Sequence, residues 1–167
     1  MNKTINLIFI FISLLLLQVF VLNNINFLNT INPYLYIAFV FIYPLNENRF
    51  PFLFFSFLLG LCIDSFSDSG GIHAFSTLFI AYFRVSFVKF FFKKILADFS
   101  FFNLKSEPFG KVFNYVVTLT VIHHFIYFCF SNFSFQNLSM VFLNTLYTSI
   151  FTVILYFIGT TIFNKSQ

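Results

Sequence analysis

Long apolar runs broken by short polar stretches set the plan of the chain. They cover residues 5–22, 34–45, 50–63, 72–92, 112–130 and 140–163. Runs of this length and composition predict membrane-crossing helices. The two shortest, 34–45 and 50–63, would rise only about 18–21 Å as helix, against a hydrocarbon core of about 30 Å. Two short spanning helices with polar flanks in the interface are the preferred reading. A re-entrant hairpin would instead bury Glu47 and Arg49 near the midplane, where each charge is costly. Pro33 and Pro51 stand where a helix tolerates proline, in its first turn. The first run follows Lys3 and reads as an uncleaved first helix, being long and lacking a small-x-small cleavage site. The expected architecture is an all-α integral membrane protein: one transmembrane domain over residues 1–167, a bundle of about six helices.

Composition narrows the class further. Hydrophobic residues make up 59% of the chain and charged residues 8%, with a mean hydropathy of +0.91. A soluble domain carries about 25% charge, so this surface has to meet lipid. The 33 phenylalanines, with many Asn and Ile, resemble the drift of an AT-rich genome, and single Phe residues carry little message. The net charge of +4 comes from lysines beside the apolar runs. That placement describes a membrane flank and no nucleic-acid footprint. Cys62 and Cys129 lie inside apolar runs and read as small hydrophobes.

Charge also orients the chain. Lys3, Arg49, Lys89, Lys93, Lys94, Lys105, Lys111 and Lys165 fall in the N-terminal segment, the second and fourth loops and the C-terminal segment. The first, third and fifth loops have no Lys or Arg. Alternate loops therefore sort by charge, as six spans with both ends in the cytoplasm require. Residues 89–102 could form an interfacial helix with lysines at anionic headgroups, but ordinary topology signalling explains those lysines as well.

Polar stripes mark the faces turned to protein. In the sixth run Asn144, Thr145, Thr148, Ser149, Thr152, Tyr156, Gly159 and Thr160 share one half of a helical wheel. Leu143, Leu146, Ile150, Ile154, Phe157 and Ile158 share the other, expected to face lipid. The fifth run puts Thr120, His123, His124 and Tyr127 together. Adjacent histidines project about 100° apart on a helix, poor spacing for metal ligation, so satisfied interior histidines are the expectation and no metal or cofactor is assigned. Asp64 and Asp68, without a third acid or a basic phosphate clamp, do not make a metal-pyrophosphate site.

The most informative stretch is residues 60–84. Gly60 and Asp64 share a helix face one turn apart. Gly70 and Gly71 allow a tight turn with positive φ. On the next helix His73, Thr77, Ala81 and Arg84 form a polar and small stripe. Arg84 is expected to face the bundle rather than snorkel towards Lys89, and a tie to Asp64 is disfavoured by their difference in depth.

This stretch resembles the MreD family, small membrane subunits of the bacterial rod-shape machinery. The resemblance rests on Gly60, Asp64, the Gly70-Gly71 turn followed by Ile72-His73-Ala74, and Ala81-Tyr82 with Arg84 beyond. The Gly-Ile-His-Ala form is similar to Bacteroidetes-type members. It implies a non-enzymatic scaffold of the inner membrane that binds MreC. It further implies indirect coupling of MreB filaments to RodA and a class B penicillin-binding protein, and so to peptidoglycan synthesis and cell shape. Gly60, Asp64, Gly70, Gly71, His73, Ala81, Tyr82 and Arg84 then become candidate interaction or helix-packing positions. The chain carries no Gly-x-Ser-x-Gly elbow, His-Glu-x-x-His pair or phosphate-binding loop, so no catalytic residue is assigned. The alternative is a substrate-binding component of an energy-coupling-factor, vitamin-type transporter, which has a similar bundle of short helices. It would need a roomy cavity near Asp64, His73 and the Thr120–Tyr127 face.

Overall fold

The structure, a computed structural model, describes residues 3–25, 31–45, 48–95, 98–99, 102–132 and 137–164. Its long elements are α1 (Lys3–Phe20), α3 (Arg49–Ser67), α4 (Ile72–Phe92), α5 (Phe109–Ser131) and α6 (Leu138–Asn164). A short α2 (Ala38–Ile42) is reached through a 3-10 turn at Leu35–Ile37. The 5 long helices are apolar enough to cross a bilayer. At 1.5 Å per residue they rise about 27–40 Å, close to or beyond the hydrocarbon core of about 30 Å. Over the described residues the molecule is all-α and suited to lie in a membrane.

Polarity is inverted relative to a soluble protein. Ile5, Phe9, Ile12, Phe79, Leu143, Ile150 and Ile154 are exposed, while Gln18, Asp64, His73, Arg84, His123, His124 and Thr152 are buried. Lipid accepts the apolar side chains, and the polar ones find partners inside. On α6 the two expected halves separate as the wheel implies. Thr145, Thr148, Ser149, Thr152 and Tyr156 are buried, and Leu143, Leu146, Ile150, Ile154 and Ile158 are exposed.

Helices α3 to α6 each pack chiefly on the next. Helix α1 lies along α3 and points the same way. Phe11 meets Phe55 at 6.1 Å between ring centroids, and Asn23 Nδ2 donates to Ser67 Oγ at 3.0 Å. Parallel neighbours oblige the chain between them to travel back, and residues 31–45 do so inside the bundle. Tyr36 through Phe41 are at most 3% exposed.

Residues 34–45 therefore differ from the short, continuous spanning helix expected for this run. Only Ala38–Ile42 is α-helical, 5 residues in all. A segment enclosed by other helices can take its backbone partners from their side chains, so it need not satisfy itself as a regular helix. The neighbouring run grows instead: α3 covers Arg49–Ser67 because Asp64, Ser65 and Ser67 continue the helix beyond the apolar stretch.

The basic residues gather at one end. Helices α1, α3 and α5 start there and α4 stops there, bringing Arg49, Lys89, Lys93, Lys94, Lys105 and Lys111 together. Lys94 Nζ pairs with Glu107 Oε1 at 3.2 Å. The opposite end carries Asn23, Asn24, Asp68, Ser69 and Asn132. Glu47 and Lys165 lie outside the described residues. Helix α4 does not run on across the surface as an interfacial helix: Lys93, at φ 55°, caps it through its N–H to Lys89 O.

Candidate functional site

The residues at 60–74 form a capped helical hairpin. The first N–H groups of any helix lack intrahelical acceptors. Here Asp64, on α3, supplies them to α4: Oδ1 accepts from His73 N at 2.9 Å and Oδ2 from Ala74 N at 2.8 Å. Ser69 Oγ donates to Oδ1 at 2.6 Å. A carboxylate there also suits the positive end of the helix dipole. Gly60, one turn earlier, lets the two backbones approach. A Cβ at this position would lie 2.5 Å from Ala74 Cα and 2.7 Å from His73 O. The connection reverses through left-handed residues, with φ 51° at Asp68, 65° at Gly70 and 93° at Gly71.

A second polar group surrounds the start of the enclosed segment. Gln18 Nε2 donates to Pro33 O at 3.0 Å, and its Oε1 accepts from Tyr36 N at 3.4 Å. Tyr34 N donates to Thr152 Oγ1 at 3.0 Å, and that hydroxyl stands 3.1 Å from His124 Nε2. His124 Nδ1 lies 2.7 Å from Thr120 O. A carbonyl only accepts, so Nδ1 carries the proton; Thr152 can then give its hydroxyl hydrogen to Nε2, and a neutral ring satisfies the whole chain. The Tyr36 hydroxyl bridges His73 Nδ1 at 2.8 Å and His123 Nε2 at 2.9 Å. With one hydrogen to give, it donates to one ring and accepts from the other, so two neutral rings share one tautomer, both Nε2–H when it donates to His73 and both Nδ1–H when it donates to His123. Tyr127 stacks on His73 at 4.4 Å between centroids, and Tyr34 closes the same space at 4.8 Å from Tyr127.

The third group lies towards the basic end. Arg84, 3% exposed, donates from Nη2 to Phe41 O at 3.2 Å and Tyr43 O at 2.5 Å. Its guanidinium stands over the Phe52 ring at 5.0 Å, with the Tyr115 hydroxyl beside it. These carbonyls end α2, where the helix no longer supplies donors. Arg84 thus faces the bundle and does not reach towards Lys89. It is also far from Asp64, whose partners His73 and Ala74 sit about 15 Å away along α4.

Of the positions singled out in the sequence, Gly60, Asp64, Gly70, Gly71 and His73 meet at one end of the α3–α4 pair. Ala81 is buried on the packed face of α4, Tyr82 is exposed, and Arg84 serves the separate group just described. Comparison with protein-family models, curated proteins and solved structures gave no match. The histidines do not converge: His73 and His123 share Tyr36, while His124 turns to Thr120 and Thr152. Sequence reasoning missed Gln18, Tyr36 and the backbone-binding role of Thr152. Gln18 stands after four leucines, and a primary amide there is a signal for a buried backbone partner.

Proposed function

We propose that this chain is a non-enzymatic scaffold of the MreD type in a bacterial cytoplasmic membrane. It binds the transmembrane helix of an MreC-like protein and helps join MreB filaments to RodA and a class B penicillin-binding protein during wall elongation. In this reading residues 31–45 make the sixth crossing, and both chain ends face the cytoplasm with the basic end of the bundle.

The observation that carries the choice is the filled interior. The transporter alternative needs space near Asp64, His73 and the Thr120–Tyr127 face. There Tyr34, Tyr36 and Tyr127 pack on His73, and Asp64 spends both oxygens on the backbone of α4. Packing of this kind holds helices in place, and around His73 and Asp64 the described side chains take up the space that a bound molecule would need. A scaffold needs that rigidity, leaving its outer faces for partners.

The test is a mild-detergent pull-down of the tagged chain from its native envelope, followed by mass spectrometry. An MreC-like protein and elongation-specific wall synthases should co-purify. Recovery of paired ATPases with a coupling membrane subunit would overturn the reading in favour of a transporter component.

A further inference from the structure

Two concavities lie along one exposed face of α4. The first, about 380 Å3, is a groove lined by Leu53, Phe75, Leu78, Phe79, Tyr82 and Phe83. The second, about 480 Å3, is lined by Lys89, Lys93, Lys94 and Ile95. Phe75, Tyr82 and Lys89 recur at seven-residue spacing, two helical turns, so the apolar groove and the basic concavity follow one another on the same face of α4. Between them Arg49 reaches across from the start of α3. Its Nη2 donates to Tyr82 O at 2.7 Å, and its Cζ lies 4.7 Å from the Tyr82 ring centroid. Arg49, Lys89 and Lys93 are exposed.

We propose that this face is a binding site for one anionic phospholipid of the leaflet at the basic end. One acyl chain lies in the α3–α4 groove and the phosphate rests on Arg49, Lys89 and Lys93. Length agrees with this occupant. From Lys89 to Phe79 is about 15 Å along α4, and one leaflet contributes half of a core of about 30 Å. Charge agrees as well, since the apolar slot ends in cations: Glu107 pairs with Lys94 and Asp98 accepts from Ile95 N at the edge of the basic concavity, which leaves Arg49, Lys89 and Lys93 for the phosphate. A second transmembrane helix fits less well. Close helix association favours small residues at the contact, whereas bulky Phe, Leu and Tyr side chains wall this groove. A flexible chain can follow the spaces between such rings. Arg49 is held by Tyr82 before any lipid arrives, so little side-chain freedom is lost on binding. The site is independent of which partners the scaffold recruits.

The chain contains no tryptophan, so Phe79→Trp, at an exposed position, places a single indole in the groove. The full-length variant is reconstituted in phosphatidylcholine vesicles containing increasing brominated phosphatidylglycerol or brominated phosphatidylcholine, and indole quenching is followed. The anionic lipid should be preferred at least about fivefold, the factor expected for one cation at a membrane surface. Combining Arg49→Gln, Lys89→Gln and Lys93→Gln with Phe79→Trp should bring the ratio to about one. A control variant, Ile154→Trp at an exposed position of α6, should show no preference in either background. Equal quenching of the groove indole by both lipids would reduce the groove to ordinary lipid-facing surface and overturn the proposal. So would a groove indole that neither lipid quenches while the α6 control is quenched, because a second copy or a partner helix would then cover the groove.

Discussion

Gly60 and Asp64 solve one local problem together: how to start α4 while it is pressed against α3. Gly60 removes the side chain that would strike Ala74, and Asp64 reaches past it to the two free amides. Gly60→Ala is therefore expected to cost about 1–3 kcal/mol, the usual range for overpacking a tight contact. The check is the unfolding midpoint in mixed micelles as denaturing detergent is added. At Asp64 the decisive comparison is between two replacements. Asp64→Ala leaves both amides without an acceptor and should lose about 1–2 kcal/mol, while Asp64→Asn keeps one carbonyl oxygen and should lose less. Equal losses in the same assay would argue against the capping role.

At the scale of elements, the unusual feature is the enclosed segment at 31–45. Its backbone is held by side chains from three helices: Gln18 of α1, Thr152 of α6 and Arg84 of α4. Those bonds replace the ladder that a regular helix would supply for itself. Loss of one bond worth about 1 kcal/mol should speed local opening about fivefold. Hydrogen exchange can read this separately, at the Tyr36 amide in Gln18→Leu and at the Tyr34 amide in Thr152→Val. Arg84→Met strands two buried carbonyls and should destabilise by about 3 kcal/mol. Arg84→Lys should recover part of that loss in the detergent titration, since an ammonium can still donate to one of them.

For the whole molecule, the parallel run of α1 and α3 makes a topological prediction. Their starting ends, with the start of α5, must share one side of the membrane. With Cys62 and Cys129 replaced by Ala, Arg49→Cys and Lys111→Cys should react with an impermeant maleimide only after the cytoplasmic face is opened. Asn24→Cys and Asn132→Cys should react in intact cells. Labelling of Arg49→Cys from the same side as Asn24→Cys would break the return path assigned to residues 31–45. Much of this molecular plan was legible beforehand. Apolar length located α1, α4, α5 and α6, and the Thr/Ser stripe of α6 identified its packed face. The length of α3 was less legible, because Asp64, Ser65 and Ser67 look like loop residues until their partners are known: the α4 amides for Asp64, the Leu61 carbonyl for Ser65 and Asn23 for Ser67.

What the sequence determined by itself follows from solvent and from periodicity. Too little charge to face water forces apolar helices into lipid, and a 3.6-residue repeat of small polar side chains marks the faces that must turn away from it. Clustering of Lys and Arg in alternate segments marks one end of the bundle. The tertiary structure decided the pairings. That Asp64 caps a neighbouring helix, that Arg84 serves Phe41 and Tyr43 rather than an acid, and that Tyr36 joins His73 to His123 are contacts between residues distant along the chain. Local pattern shows that such groups must be satisfied, because an unpaired polar group inside a bilayer is costly. Only the packing of all the helices at once settles which partner satisfies each of them.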